Sequence, residues 1–234
     1  SSIIRKFTSL LSIFFKNQEI DLKKDDKIFN EIKSLLKSKK LNLKSLKKTH
    51  KIFNLKILNL LQSNNLKNFL REGFIQKMFF VHNRLFVLNE LKALKKNKNW
   101  RFYRKLINED SIGNPVRFFL YPRSSGNKIN HVFHLSILKD LMGINFKRIS
   151  YIFEFGAGYG CMAKIFSKIN KSINYTCFDT FYVNLLQFYY LKHNDLNVGF
   201  NRNKNKFFLT SNIEEILSFY KKNQKYLFIA NWSL

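Results

Sequence analysis

The chain has 234 residues, of which 45% are hydrophobic and 16% aromatic, which excludes a disordered protein and predicts one large or two small domains with a real core. The formal net charge of +27 would suit a nucleic-acid partner. Lysine is scattered, however, arginine is scarce, and Lys, Asn, Ile and Phe are over-used together. We therefore interpret the charge as a compositional bias and expect no specific nucleic acid as a partner.

The sequence predicts neither a membrane span nor a metal site. No run of 18 apolar residues occurs, so no spanning helix is expected. Cys161 and Cys177 both lie inside predicted α/β elements and no Cys-x-x-Cys motif exists, which argues against a disulfide framework and against a zinc site. These features favour a reducing, cytoplasmic location. The chain begins without an initiator methionine, so the N-terminus is expected to be cut.

Residues 1–110 are predicted to form a helical N-terminal region. Apolar side chains recur at helical spacing in three segments, which begin near Ile28, Ile52 and Phe74. Asp25 and Asp26 stand at the start of the first segment, where the helix dipole favours acids.

Residues 111–145 are interpreted as a connector with turns and a helix that packs on the cofactor domain. The stretch 108–130 holds both prolines and two of the eight glycines, so turns interrupt the helices there. Residues 116–120 are a candidate strand, and 130–142 have the pattern of an amphipathic helix that ends at Gly143.

Residues 146–234 are predicted to form a partial Rossmann-like domain in an α/β fold. Tyr151–Phe155 has the apolar character of a buried parallel strand. Glycines follow at 156, 158 and 160, and the residues from Cys161 onwards have helical spacing. A strand, a glycine turn and a helix in this order form the first half of a nucleotide-type binding site.

The spacing of the glycines discriminates between ligands. The dinucleotide fingerprint is G-x-G-x-x-G, and its third glycine would fall at Cys161. The chain instead has G-x-G-x-G with Glu154 two residues before the first glycine, which resembles motif I of the S-adenosylmethionine (SAM) dependent methyltransferases. SAM carries a sulfonium and an ammonium, and a carboxylate is a suitable partner for both. The alternative interpretation of Glu154 is a capping or structural acid.

A second acid follows at the end of a second strand. Residues 174–179 have the pattern of a short buried strand that ends at Asp179, 25 residues after Glu154. In a β-α-β unit this spacing places Asp179 at the carboxyl end of the neighbouring strand, where it can accept hydrogen bonds from both ribose hydroxyls of an adenosine. A cap for the helix that follows Thr180 is the alternative role.

Two more strands are predicted beyond the helix 181–193. Residues 198–200 and 207–210 are alternatives for the third strand, with 207–210 preferred, and 226–230 is the fourth. A methyltransferase sheet that resembles this one has seven strands in the order 3-2-1-4-5-7-6. Strand four would then be an apolar edge with unpaired backbone groups, so we expect the chain to be a fragment that lacks its C-terminal strands.

With these residues in place, the stretch 70–234 resembles the sugar O-methyltransferases, a bacterial SAM-dependent family. Glu154–Ala163 is similar to the family's E-[IF]-G-x-G-Y-G-G-L-A, and Leu186–Leu191 to its L-Q-x-Y-Y-L helix. Further similar segments are Gly113–Pro115, Tyr175–Asp179 and Asn231–Ser233. Cys161 departs from the usual glycine, and Ala230 stands where a polar residue is common.

The resemblance implies a SAM-dependent O-methyltransferase that acts on a sugar hydroxyl in glycan or polysaccharide biosynthesis. We hypothesise that Glu154 and the loop hold the methionine end, Asp179 the ribose, Asn212 the adenine edge and Asn231 the donor methyl. The full predicted cofactor set is Glu154, Gly156, Ala157, Gly158, Gly160, Asp179, Thr180, Asn212 and Asn231.

A sugar hydroxyl is a poor nucleophile at neutral pH and needs a base. His131 and His134 are the candidates because they stand at the start of the helix that leads to the first strand, although packing or capping is the preferred explanation for each. Three other classes stay open: a methyltransferase for RNA or another acceptor, an NAD-dependent oxidoreductase, and a non-catalytic fragment. The oligomeric state is not predicted.

Overall fold

A computed structural model describes residues 22–38, 48–63, 65–79, 85–218 and 225–231. Its helices are α1 (Leu22–Ser38), α2 (Lys48–Gln62), α3 (Gly73–Phe79), α4 (Leu85–Lys96), α5 (Trp100–Leu106), α6 (Gly126–Leu141), α7 (Cys161–Ile169), α8 (Phe181–His193) and α9 (Ile213–Leu217). Its strands are β1 (Arg117–Phe118), β2 (Tyr121–Ser125), β3 (Tyr151–Phe155), β4 (Asn174–Phe178), β5 (Val198–Gly199), β6 (Phe207–Thr210) and β7 (Tyr226–Ile229). Short 3-10 helices cover Leu66–Arg71 and Phe146–Arg148. Predictions for residues 1–21 and 39–47 lie outside the described residues.

The chain divides into two compact units. Of the described residues, the first unit contains 67–79 and 85–146, and the second contains 22–38, 48–63, 65–66, 147–218 and 225–231. The second unit therefore includes α1 and α2, which the sequence assigns to the N-terminal region. A boundary drawn along a sequence cannot show that an early segment packs on a later one.

The first unit consists of helices and a short hairpin. α4 packs along α6, and α5 contacts both. β1 and β2 pair antiparallel, with Phe118 opposite Tyr121. α6 begins at Gly126 rather than at the predicted 130, because the Ser125 hydroxyl accepts a hydrogen bond from the Lys128 amide at 3.2 Å and caps the helix. Its buried apolar side chains include Phe69, Ile75, Val87, Leu91, Tyr103, Val132 and Leu135.

The second unit is built on a parallel sheet with the strand order β5-β6-β4-β3-β7. The order β6-β4-β3-β7 is the 3-2-1-4 order expected for the first four strands. The prediction of one strand from the alternatives 198–200 and 207–210 is corrected, since both form strands: Val198 pairs with Phe207. β5 has only two residues, too few to show a periodic pattern.

Helices cover the sheet of the second unit in layers. α8 contacts β5 and β6 and is in turn covered by α1 and α2, which explains why it is buried on nearly every side. α1 docks by its apolar face, Ile28, Phe29 and Ile32, and Asp25 accepts a hydrogen bond from the Tyr189 hydroxyl at 2.7 Å. The chain therefore has an α/β fold with a parallel sheet, compatible with a Rossmann-like fold. No helix in the described part of the chain is long and apolar enough to cross a membrane.

Candidate functional site

Two acids lie side by side at the carboxyl ends of the adjacent strands β3 and β4. Glu154, the second-last residue of β3, is opposite Cys177 in the parallel register, and Asp179 directly follows β4. Alternate residues of a strand point to the same side, so Asp179 continues the row that contains Cys177. The Asp179 charge also acts on Glu154. Both acids therefore lie on the same side of the sheet.

The loop between β3 and α7 has a left-handed backbone at each of its three glycines. Gly156, Gly158 and Gly160 have φ values of 69°, 56° and 91°, a region that side chains rarely adopt. At Gly160, where α7 begins, an added Cβ would also lie 3.3 Å from Leu191 Cγ. The glycines are thus required by the backbone of the loop.

The amide groups of these glycines are used inside the protein. Gly156 N–H donates to the Phe178 carbonyl at 2.8 Å, and Gly160 N–H donates to the Ala157 carbonyl at 3.0 Å. Gly158 N–H donates to Asp179 Oδ2 at 3.2 Å. A phosphate-binding loop offers such amides to its anion. This loop instead binds a carboxylate of its own chain.

Two side-chain amides of α8 fix the loop from the other side. Gln187 Nε2 donates to the Gly158 carbonyl at 2.8 Å, and Asn184 Nδ2 donates to the Asp179 carbonyl at 3.3 Å. Their oxygens, Gln187 Oε1 and Asn184 Oδ1, are buried without a hydrogen-bond partner. Together with the two carboxylates they make the surroundings of the loop rich in acceptors.

Burial perturbs the titration of both acids. Burial raises the pKa of Glu154 to about 8; the hydrogen bond from Tyr175 lowers this pKa, and the charge of Asp179 raises it further. Burial also raises the pKa of Asp179 to about 7, although the hydrogen bonds from the Thr180 and Gly158 amides lower it. Among the described residues no Lys, Arg or His lies within ion-pair distance of either carboxylate. A positive charge brought to this place would favour the ionised form of both acids.

Tyr175 on β4 is the side chain that supports Glu154. Its hydroxyl donates to Glu154 Oε2 at 2.7 Å, and burial followed by the Glu154 charge raises the pKa of Tyr175 well above its usual value. The hydroxyl therefore stays protonated and keeps donating. Sequence reasoning missed this role because Tyr175 counted only as an apolar strand residue.

The remaining predicted cofactor residues have different surroundings. Ala157 is buried in the loop. Thr180 donates its hydroxyl to Asn54 Oδ1 at 2.7 Å, and its amide donates to Asp179 Oδ1 at 2.8 Å. Asn212 is exposed and caps α9, accepting the Glu214 amide at 3.0 Å. Asn231 lies just beyond β7 and is half-buried. The assignment of these residues to SAM stays a prediction.

The two candidate bases lie in the first unit, on α6. Both are half-buried. Burial lowers the pKa of His131 to about 3, with the charges of His134 and Lys128 acting in the same direction. Burial also lowers the pKa of His134. Both imidazoles are therefore neutral at pH 7, but a pKa of about 3 makes His131 a weak base, because an effective general base has a pKa near the working pH.

Sequence reasoning also missed Gln187, Asn184 and Asn54. Gln187 and Asn184 stand in a helix whose other residues are almost all apolar or aromatic. A buried amide in such a helix must find a hydrogen-bond partner, and that was the signal available for both. Asn54, from α2, meets Thr180 across a sequence separation of 126 residues, which no local pattern can show.

Comparison with known proteins gives no identity: no family model matches the chain, and no curated protein or solved structure matches it either. Within the described residues, no group of three or more His, Cys, Asp or Glu side chains could hold a metal ion.

Proposed function

We propose that the chain is a SAM-dependent methyltransferase, with the cofactor at the carboxyl ends of β3 and β4. The observation that carries the proposal is the balance of hydrogen-bonding groups there. The amides of the three loop glycines are used within the protein, whereas the carboxylates of Glu154 and Asp179 keep further acceptor lone pairs. A cationic ligand with several donors fits this balance.

The same balance disfavours the pyrophosphate of a dinucleotide. A pyrophosphate needs free amides in its loop, and here Asp179 already accepts the Gly158 amide. Each Asp179 oxygen accepts one backbone amide, at 3.2 and 2.8 Å, and keeps a second lone pair. Those lone pairs are the groups that would accept two ribose hydroxyls.

SAM supplies a methyl group already activated by its sulfonium, so the protein has to orient and desolvate the reactants. In the proposed site Glu154 faces the cationic end, Asp179 the ribose, and Tyr175 keeps the Glu154 carboxyl in place through its hydroxyl. His131 and His134 belong to the other unit, so their role as the base that deprotonates an acceptor hydroxyl stays a prediction from the sequence. A sugar as the acceptor rests on the sequence resemblance alone.

Isothermal titration of the 234-residue chain with SAM and, separately, with NAD tests the proposal. Asp179→Asn keeps the shape of the side chain but replaces an acceptor by a donor, so SAM affinity should fall about 10- to 100-fold. The matched control is Asp195→Asn at the other end of α8, an exposed acid paired with Lys24 at 2.6 Å. Its SAM affinity should equal that of the wild type.

Two results would overturn the assignment. Tight binding of NAD without binding of SAM would make the site a dinucleotide site. Equal SAM affinity in Asp179→Asn and the wild type would remove Asp179 from the ribose contact. The acceptor is tested separately, by transfer of a labelled methyl group to a panel of free sugars, nucleotide sugars and single-stranded RNA.

A further inference from the structure

Positive charge is concentrated on the helical hairpin formed by α4 and α5 in the first unit. Seven of the 14 residues 92–105 are Lys or Arg, against 42 in the 234 residues of the chain, and no acid occurs from 91 to 108. We call residues 92–105 the cationic hairpin. Its basic residues are Lys92, Lys95, Lys96, Lys98, Arg101, Arg104 and Lys105, and all are exposed. Residues 37–48 reach the same fraction, with six lysines in 12 positions, so what distinguishes the cationic hairpin is the placement of its cations rather than their number.

The basic residues of each helix are spaced so that they share one face. In α4 they stand at 92, 95 and 96, and in α5 at 101, 104 and 105, both an i, i+3, i+4 pattern. The opposite faces hold buried side chains, among them Leu91, Leu94, Tyr103 and Leu106. In the part of the chain that the structure describes, none of the seven cations is ion-paired with an acid. Their charge is available to a partner.

Exposed aliphatic side chains lie beside the turn of the cationic hairpin. Asn97 in the turn donates a hydrogen bond to Asp140 Oδ2 at 2.5 Å, which fixes the end of α6 there. The next two residues, Leu141 and Met142, are 81% and 67% exposed. Asp140, the acid at this junction, is already engaged by Asn97 and lies 3.8 Å from Lys139 Nζ. The junction thus combines cations with apolar side chains.

We propose that the cationic hairpin and the end of α6 form a surface that docks on an anionic lipid bilayer. Lysine and arginine near a membrane surface are attracted to anionic headgroups, and aliphatic side chains gain by entering the boundary between headgroups and acyl chains. Trp100, half-buried at the start of α5, is a residue type enriched at that boundary. A nucleic acid would bind the cations and stack on Trp100, but it would gain nothing from Leu141 and Met142, because bases stack on aromatic rings.

Vesicle co-sedimentation of the 234-residue chain tests this surface. The probes are phosphatidylcholine vesicles with and without about one-third phosphatidylglycerol. The triple variant R101Q/R104Q/K105Q should bind the anionic vesicles at least about tenfold more weakly than the wild type. The matched control K23Q/K27Q/K37Q removes three exposed lysines from α1 and should change binding less than about threefold. Circular dichroism checks that each variant is folded.

The double variant L141S/M142S separates a bilayer from a nucleic acid. It keeps every charge, so a weaker partition into the anionic vesicles, by about tenfold, with unchanged affinity for single-stranded RNA supports docking on lipid. Unchanged vesicle binding in this variant would mean that the aliphatic residues do not insert, and would overturn the proposal. Equal losses in the two triple variants would also overturn it, because the attraction would then come from net charge alone.

Discussion

Both units bury ionisable side chains, but the two clusters are composed in opposite ways. In the first unit the fully buried Lys128 ammonium lies 2.7 Å from Glu109 Oε1 and 3.4 Å from Asp110 Oδ2, and the Ser125 hydroxyl donates to the other Glu109 oxygen. In the second unit Glu154 and Asp179 are two acids that share a site without a cation.

The difference separates a structural role from a binding role. A buried pair of opposite charges compensates its own desolvation in part, and its loss leaves an uncompensated charge. Two neighbouring acids cannot do this, so they remain partly protonated and destabilise the fold as the pH rises. Under the proposed function, a cationic ligand supplies the charge that Glu154 and Asp179 lack. We therefore interpret the cluster around Lys128 as structural and propose that the cluster around Glu154 binds a ligand.

The strongest test of this comparison is Lys128→Met. The substitution leaves the buried Glu109 carboxylate without its cation, so the free energy of unfolding should fall by about 3–5 kcal/mol. Urea denaturation followed by circular dichroism measures it. Lys139→Met on the same helix, beside Asp140 on the surface at 3.8 Å, is the control and should cost less than about 1 kcal/mol.

The double variant Lys128→Met with Glu109→Leu sharpens this test. It removes both charges, so it should regain part of the stability that Lys128→Met loses. Equal stability of the single and double variants would show that the charge left on Glu109 is not the cause of the loss.

The second test is the pH dependence of stability. The pKa of Glu154 is about 8 in the folded chain and near its ordinary value of 4.5 when unfolded. Between these values the folded state holds the proton and the unfolded state has lost it, so the free energy of unfolding should fall as the pH rises from about 5 to about 8. The contribution is about 2–4 kcal/mol.

Glu154→Gln should remove this contribution and leave the part of the fall that comes from Asp179, whose pKa is raised to about 7, while Glu214→Gln, which changes an exposed acid on α9, should leave both in place. Urea denaturation at a series of pH values measures the slope. A wild-type chain equally stable at pH 5 and pH 8 would contradict the view that these acids are uncompensated.

The smallest expected effect is that of Tyr175→Phe. It removes the hydroxyl that donates to Glu154 at 2.7 Å, which should cost about 1 kcal/mol. Because that hydrogen bond lowers the pKa of Glu154, the upper end of the pH-dependent range should also move to higher pH. The control is Tyr182→Phe, which changes another buried tyrosine of the same unit. An identical pH profile in Tyr175→Phe and the wild type would exclude coupling between Tyr175 and Glu154.

Local patterns predicted the strands and helices of the second unit well. The helix 181–193 has the predicted bounds, and β3, β4, β6 and β7 lie where apolar runs end in turns or acids. The predicted start of α6 was wrong because its first turn begins with Gly126 and Asn127, which favour turns in a sequence, and the cap on Ser125 was not recognised. Residues 198–200 were the less preferred alternative for the third strand, yet Val198–Gly199 also forms a strand, which pairs with β6.

The sequence predicted the positions of the acids and glycines of the candidate site, but not the residues that form hydrogen bonds to them. Glu154 and Asp179 are polar residues that interrupt or end apolar strands, a signal that a sequence carries. Tyr175 and Gln187 act through partners that only the packed sheet brings near. The sequence is rich in lysine and gave no indication that Lys128 would be buried beside Glu109. Among the residues that the structure describes, Lys128 is the only fully buried lysine.

The contacts of Gly158 have a consequence for the order of folding. Its amide is held by Asp179 and its carbonyl by Gln187, so both sides of this residue depend on the second strand–helix pair. We therefore expect that the sequence of the turn after β3 does not fix its conformation by itself. The turn should reach its final conformation only when β4 and α8 have docked. The ability to bind a ligand should therefore appear at a late, cooperative stage of folding. A peptide that contains only β3, the glycine turn and α7 should not bind the ligand.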